Sequence, residues 1–112
     1  MVNQLLDFRK MEVQETKLNT SEGDIVSFIR EVFYSFSDLS EKNNIHFTFQ
    51  TSVRQIETLF DQDKLEKILF NLLSNAFKFT PAEGSIEITL IKKDEEVVIS
   101  IDNYLGIHEK ER

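Results

Sequence analysis

The spacing of apolar positions changes several times along the chain, and each change marks an element. Val2, Leu5, Leu6 and Phe8 recur at helical spacing among Arg9, Lys10 and Glu12, so residues 1–15 read as helix. No capping residue precedes Val2, so this helix reads as the end of a longer one. Residues 17–24 are polar, contain Gly23, and read as a short strand and turn. Ile25, Phe28, Ile29, Val32, Phe33, Phe36 and Leu39 then mark one face of an amphipathic helix, with Asn43 and Asn44 as terminators. Ile45, Phe47 and Phe49 alternate with His46, Thr48 and Gln50, the period of a half-buried strand, and residues 56–60 give another strand. Asp61 or Asp63 caps a long helix ending near Phe79, and Pro81 and Gly84 mark the turn after it. Residues 85–91 and 96–101 alternate as a hairpin around the charged turn 92–95, and residues 102–112 read as loop. Helices on one side of a mostly antiparallel sheet make an α+β fold, a two-layer α/β sandwich.

The long helix carries the chemistry. At about 100° per residue, Leu65, Ile68, Leu69, Leu72, Leu73, Ala76 and Phe79 fill one broad apolar arc. Phe70 and Phe77 form a second, smaller edge. Between the two runs a narrow polar stripe of Lys67, Asn71, Asn75 and Lys78. Asn is a mediocre helix former, because its amide competes for backbone hydrogen bonds. Two of them one turn apart point to a stripe that faces a cleft. Amides offer oxygen to a hard cation and N–H donors to phosphate, and Lys78 adds positive charge. A triphosphate with Mg²⁺ satisfies all of these groups. Solvent-facing polar residues or satisfied core amides would give the same pattern.

Composition narrows the partners. The chain has 112 residues and a formal net charge of −7, so it is a poor binder of nucleic acid. A phosphorylated ligand would need a metal ion or a local lysine. Forty per cent of residues are hydrophobic, ten of them Phe, enough for a packed core. There is no Cys, which excludes disulfides and thiolate metal sites, and no apolar run approaches membrane-spanning length. His46 falls in a strand and His108 in a loop, so both read as ordinary polar residues and not as metal ligands or phosphoacceptors.

The segment Asn71-Leu-Leu-Ser-Asn75-Ala-Phe-Lys78-Phe-Thr-Pro81, led in by Asp63-Lys64-Leu65, resembles the asparagine box of sensor histidine kinases. Val2 to Glu12 looks like the end of the second helix of their dimerisation and phosphotransfer domain, in the wording of hybrid kinases that also carry a receiver domain. Residues 16–112 follow the element order of the N-terminal part of their catalytic domain, the Bergerat fold. The resemblance implies ATP and Mg²⁺ as cofactors: Asn75 as Mg²⁺ ligand, Asn71 holding phosphate or metal, and Lys78 contacting phosphate. Lys67 lies outside the motif.

Ile101-Asp102-Asn103-Tyr104-Leu105-Gly106-Ile107 resembles the first glycine box, D-x-G-x-G. By that likeness Asp102 accepts from the adenine amino group and Gly106 is the second glycine. Tyr104 replaces the first glycine, so its side chain would either block the base or stack on it.

Hydrolysing relatives place a glutamate where Asn71 stands. An amide cannot act as that base, which argues for phosphoryl transfer. The resemblance therefore implies a fragment of an ATP-dependent protein-histidine kinase. It would be inactive alone, lacking the phosphoacceptor histidine and the later glycine motif. Missing strands would leave sheet edges and core surface uncovered, which points to a homodimer or other self-association, and the resemblance implies a response regulator or receiver domain as partner. By the same likeness the piece is a cytoplasmic domain of a membrane-anchored sensor, without nucleic-acid or membrane contacts of its own. The alternative is a degenerate, non-catalytic signalling or dimerisation module.

Overall fold

A computed structural model describes residues 4–8 and 19–105. In chain order the elements are β1 (Gln4–Phe8), β2 (Ser21–Asp24), α1 (Ile25–Ser35), α2 (Ser37–Asn43), β3 (His46–Thr51), β4 (Glu57–Phe60), α3 (Gln62–Phe79), β5 (Ser85–Lys93) and β6 (Glu96–Tyr104). The main sheet has the order β1-β6-β5-β3, and β2 pairs with β4 in a separate ribbon. β5 is antiparallel to β6 and parallel to β3. A parallel pair needs a crossover connection, and here the crossover contains β4 and α3.

Alternation sets the two faces of the sheet. Ile86, Ile88 and Leu90 of β5 and Ile99 and Ile101 of β6 are buried and belong to one core with Leu65, Leu69, Leu73, Ala76 and Phe77 of α3. Burying each of the Ile, Leu and Phe side chains among these contributes about 1.5–3 kcal/mol. Aromatic rings knit the helices to the sheet. Phe36 stacks on Phe77 with centroids 5.6 Å apart, and Phe77 meets Phe47 of β3 edge-on at 5.1 Å. Phe33, Phe36, Phe47, Phe49, Phe70 and Phe77 thus meet at the joint between α1, α3 and β3.

Two expectations are corrected. Residues 4–8 form a strand and not a helix, antiparallel to β6 with Leu6 opposite Ile101. The helical spacing loses to the backbone hydrogen bonds offered by a nine-residue strand edge, since a short isolated helix is marginal in water. The rest of the expected 1–15 helix lies outside the described residues. The single helix expected from Ile25 to Leu39 breaks at Phe36, whose backbone is non-helical (φ −103°, ψ 5°). The break lets α2 turn while Phe36 keeps its place in the core. Asn44 ends α2 in the left-handed conformation expected of a terminator (φ 57°).

Two carboxylates fix the starts of helices. Asp24 Oδ1 accepts from Val26 N at 3.1 Å and from Ile56 N at 2.9 Å, so one side chain caps α1 and ties it to the approach to β4. Asp61 accepts from Lys64 N at 3.0 Å, capping α3, and from Asn19 N at 3.0 Å. Of the two cap candidates Asp61 is therefore the one used. The Lys64 bond, with a further one from Asn19, holds its carboxyl below the ordinary carboxylate range. A depressed folded-state value means that the unfolded chain binds more protons in acid, so the stabilisation is present above the unfolded value and lost as pH falls through the folded one. Asp61→Asn should flatten the acid limb of a stability-against-pH curve below pH of about 4, measured by urea denaturation, and change its slope little near neutrality.

Candidate functional site

α3 is the platform of the site. Its seam of Leu65, Leu69, Leu73, Ala76 and Phe77 is buried, which turns Lys67, Asn71, Asn75 and Lys78 outward together, all four exposed. Neither Asn71 nor Asn75 makes a side-chain hydrogen bond among the described residues. Their amides are presented to solvent along one side of the helix. Lys78 Nζ lies 5.5 Å from the centroid of the Phe79 ring. Phe79, expected in the apolar arc, is the last residue of the helix and is 63% exposed. With half-buried Ile68 and Leu72 it forms an apolar flank beside Asn75.

The second motif divides differently from its reading as a loop. β6 continues through Tyr104, so strand alternation governs these residues. Asp102 pairs in register with Glu87, and Tyr104 with Ser85, on the face of the sheet turned away from α3. Burial, and then the charges of Asp102 and Glu87, push the Tyr104 hydroxyl above its ordinary value, which places these three groups together. Asp102 and Tyr104 thus lie on the face of β6 opposite the one that carries Ile99 and Ile101 toward α3. Gly106 lies outside the described residues.

Asn103 takes the inward position instead. It is 5% exposed, on the same face as Ile99 and Ile101, and its Nδ2 donates to Thr80 Oγ1 at 2.8 Å. Thr80 is the C-cap of α3, five residues past Asn75, and is also buried. The Asn103 Oδ1 is buried with no hydrogen-bond partner among the described residues. A buried acceptor left unmade costs about 1–3 kcal/mol. Sequence reasoning missed Asn103 because the Asp of the motif drew the assignment. The signal available was parity: Ile99 and Ile101 share a face with residue 103, not 102.

Gly84 lets this corner close. A Cβ there would stand 2.5 Å from Thr80 Cγ2 and 2.8 Å from the Tyr104 carbonyl oxygen. A recess of about 360 Å³ between the end of α2 and the start of β3, lined by Asn44, His46 and Glu83, contains none of the residues expected in the site. Among the described residues no group of three or more His, Cys, Asp or Glu is placed to hold a metal ion, and no helix is long and apolar enough to cross a membrane.

With that geometry in view, comparison with known proteins is informative. Residues 60–112 match the family model described as histidine kinase-, DNA gyrase B- and HSP90-like ATPase. Histidine kinase P4 of Formosa agariphila is 36% identical over 98% of this chain, which spans 8% of that protein. The sensor histidine kinase WalK of Bacillus subtilis is 27% identical over 99% of the chain, which spans 18% of it. Histidine kinase ThkA, solved in complex with the response regulator protein TrrA, superposes with a TM-score of 0.71 at 31% identity, covering 75% of this chain and 25% of that one. A nucleotide-free catalytic domain of ThkA shares the fold at 19% identity, with a TM-score of 0.65 and coverage of 80% and 97%. The chain belongs to the histidine kinase-type ATPase family. It spans well under a fifth of the first curated relatives it matches.

Gly84→Ala should destabilise the fold by about 1–3 kcal/mol in urea denaturation, because the added methyl meets backbone as well as the Thr80 side chain.

Proposed function

We propose that the chain is the Mg-ATP-binding part of a sensor histidine kinase, which transfers the terminal phosphoryl group of ATP to a histidine on another segment of the protein. One observation carries this reading: a buried apolar seam turns two amides and two lysines outward on one face of α3. The donor set suits the ligand. Mg²⁺ is a hard cation that keeps several waters and is shared with phosphate oxygens, so it needs few protein ligands, and an exposed amide oxygen qualifies as one. Asn75 would hold the ion, which when bound neutralises charge on the phosphates.

Lys78 and Lys67 offset phosphate charge in a chain whose overall balance is acidic. Asn71 orients phosphate or metal and cannot take a proton from water, which favours transfer over hydrolysis. The apolar flank of Ile68, Leu72 and Phe79 gives the site a dry side. Residues 16–112 would form the ATP-binding unit, whose main sheet β1 (Gln4–Phe8) joins at the edge of β6. A second copy of the chain and a response regulator or receiver domain are the partners of this reaction, on the cytoplasmic side of a membrane-anchored protein.

Isothermal titration should show ATP binding that strengthens with Mg²⁺. Asn75→Ala should remove most of the Mg²⁺ dependence and weaken Mg-ATP binding roughly tenfold, the loss of a charge-assisted contact. Equal affinity for wild type and variant would overturn the role given to Asn75.

A further inference from the structure

We propose that β1 is a strap whose docking on β6 is coupled to nucleotide binding on α3, each favouring the other through Asn103 and Thr80. This role rests on the nucleotide-site reading above and adds a means of regulating that site. The first register pair of β1 with β6 is Gln4 with Asn103. Asn103 is the residue that reaches the end of the helix: its Nδ2 donates to Thr80 Oγ1 at 2.8 Å, and Thr80 is the C-cap of α3. Lys78 and Asn75 lie in the last turns before that cap. A backbone ladder, a buried amide and a helix terminus thus connect the start of β1 with the polar stripe.

β1 is suited to act as a two-state element. Among the described residues it is the outermost strand at its side of the main sheet, so it pairs along one edge only. It has five residues against the nine of β6, and an element held by so few pairs opens at low cost. The ladder between β5 and β6, which runs from Lys93–Glu96 to Ser85–Tyr104, stays in place when β1 leaves. The spacing of Val2, Leu5, Leu6 and Phe8 suits a helix as well as a strand, so the released segment has an alternative of its own.

With β1 docked, residues 99–103 of β6 are paired on both edges, and Asn103 is held against Thr80. With β1 released, that stretch keeps one partner strand. Asn103 is 5% exposed, so a shift of its backbone is passed to Thr80 and not taken up by solvent. The end of α3 then loosens, and Asn75 and Lys78 lose their fixed spacing. Mg-ATP therefore binds the strapped form more tightly, and by reciprocity it holds the strap down. Thr80 is a positioning residue in this scheme.

Two variants of the 112-residue chain fix the two states. The chain has no Cys of its own, so Asp7→Cys with Ser100→Cys forms one unambiguous bridge. The two positions are a register pair, and antiparallel partners stand about 4.5–5.5 Å apart at Cα, within disulfide reach. Leu5→Pro with Leu6→Pro removes a ladder donor whichever of the two N–H groups points at β6, and so releases the strap. In calorimetric titration the bridged protein should bind Mg-ATP at least about fivefold more tightly than the proline variant, with wild type between them. Adding Thr80→Val to each should bring the two affinities together; a difference that persists overturns the route through Asn103. In wild type, saturating Mg-ATP should slow amide hydrogen exchange in residues 4–8 by about the same factor, which a merely structural β1 would not show. Thermal unfolding midpoints identify any variant that fails to fold, and the exchange measurement on wild type carries the test in that event. Wild type that binds no Mg-ATP overturns the nucleotide-site reading, and the strap with it. Mg-ATP binding with equal affinities for the bridged and proline variants, or with unchanged exchange in residues 4–8, overturns the strap alone.

Discussion

The position of α3 is the constraint on which everything else depends. Leu69 and Leu73 are fully buried against a sheet whose central strand presents Ile86, Ile88 and Leu90, equally buried. That contact fixes the rotation of the helix about its axis. Once the rotation is fixed, the polar stripe has no choice of direction, because side chains about 100° apart per residue cannot move independently. Asp61 holds the N-terminal end through backbone N–H groups, and Thr80 holds the C-terminal end through Asn103. The helix is therefore fixed along its length by apolar contact and at its ends by polar contact. The division is physically apt: burial has no direction of its own, whereas hydrogen bonds set register.

The faces of β5 and β6 follow the same logic. Apolar residues dominate the face toward α3, and the outer face carries Glu87, Asp102 and Tyr104. Asn103 is the one polar residue of β6 on the inner face, at the end of the strand next to the helix terminus. A buried polar residue placed where helix and sheet meet, satisfied on one side only among the described residues, is an arrangement that packing alone would not favour.

Much of this was legible in the residues. The 3.6-residue period of Leu65, Leu69 and Leu73 gave α3, and with it the stripe of Lys67, Asn71, Asn75 and Lys78, because a periodic apolar seam determines its own opposite face. The hairpin of β5 and β6 was legible from strict alternation. What the pattern could not resolve was competition between local and distant partners. Leu5, Leu6 and Phe8 suit either a helix or a strand, and the edge of β6, some ninety residues away in sequence, decides. Phe36 fits a helical face equally well whether or not the helix continues past it. Asp102 was assigned from its motif, and the parity of the strand moved the inward position to its neighbour.

The crossover described for the main sheet has a consequence for how the site comes into being. β3 and β5 are parallel neighbours, and the chain between them includes the whole of α3. The helix that carries the stripe is therefore enclosed in the loop that the sheet must close. Such non-local closure is slow, because the entropy of the loop is lost before the pairing rewards it. A peptide of α3 alone would have neither the fixed rotation nor the Thr80 anchor. The stripe acquires its direction in the same event that joins β3 to β5, so the binding face and the topology of the fold mature together and fail together.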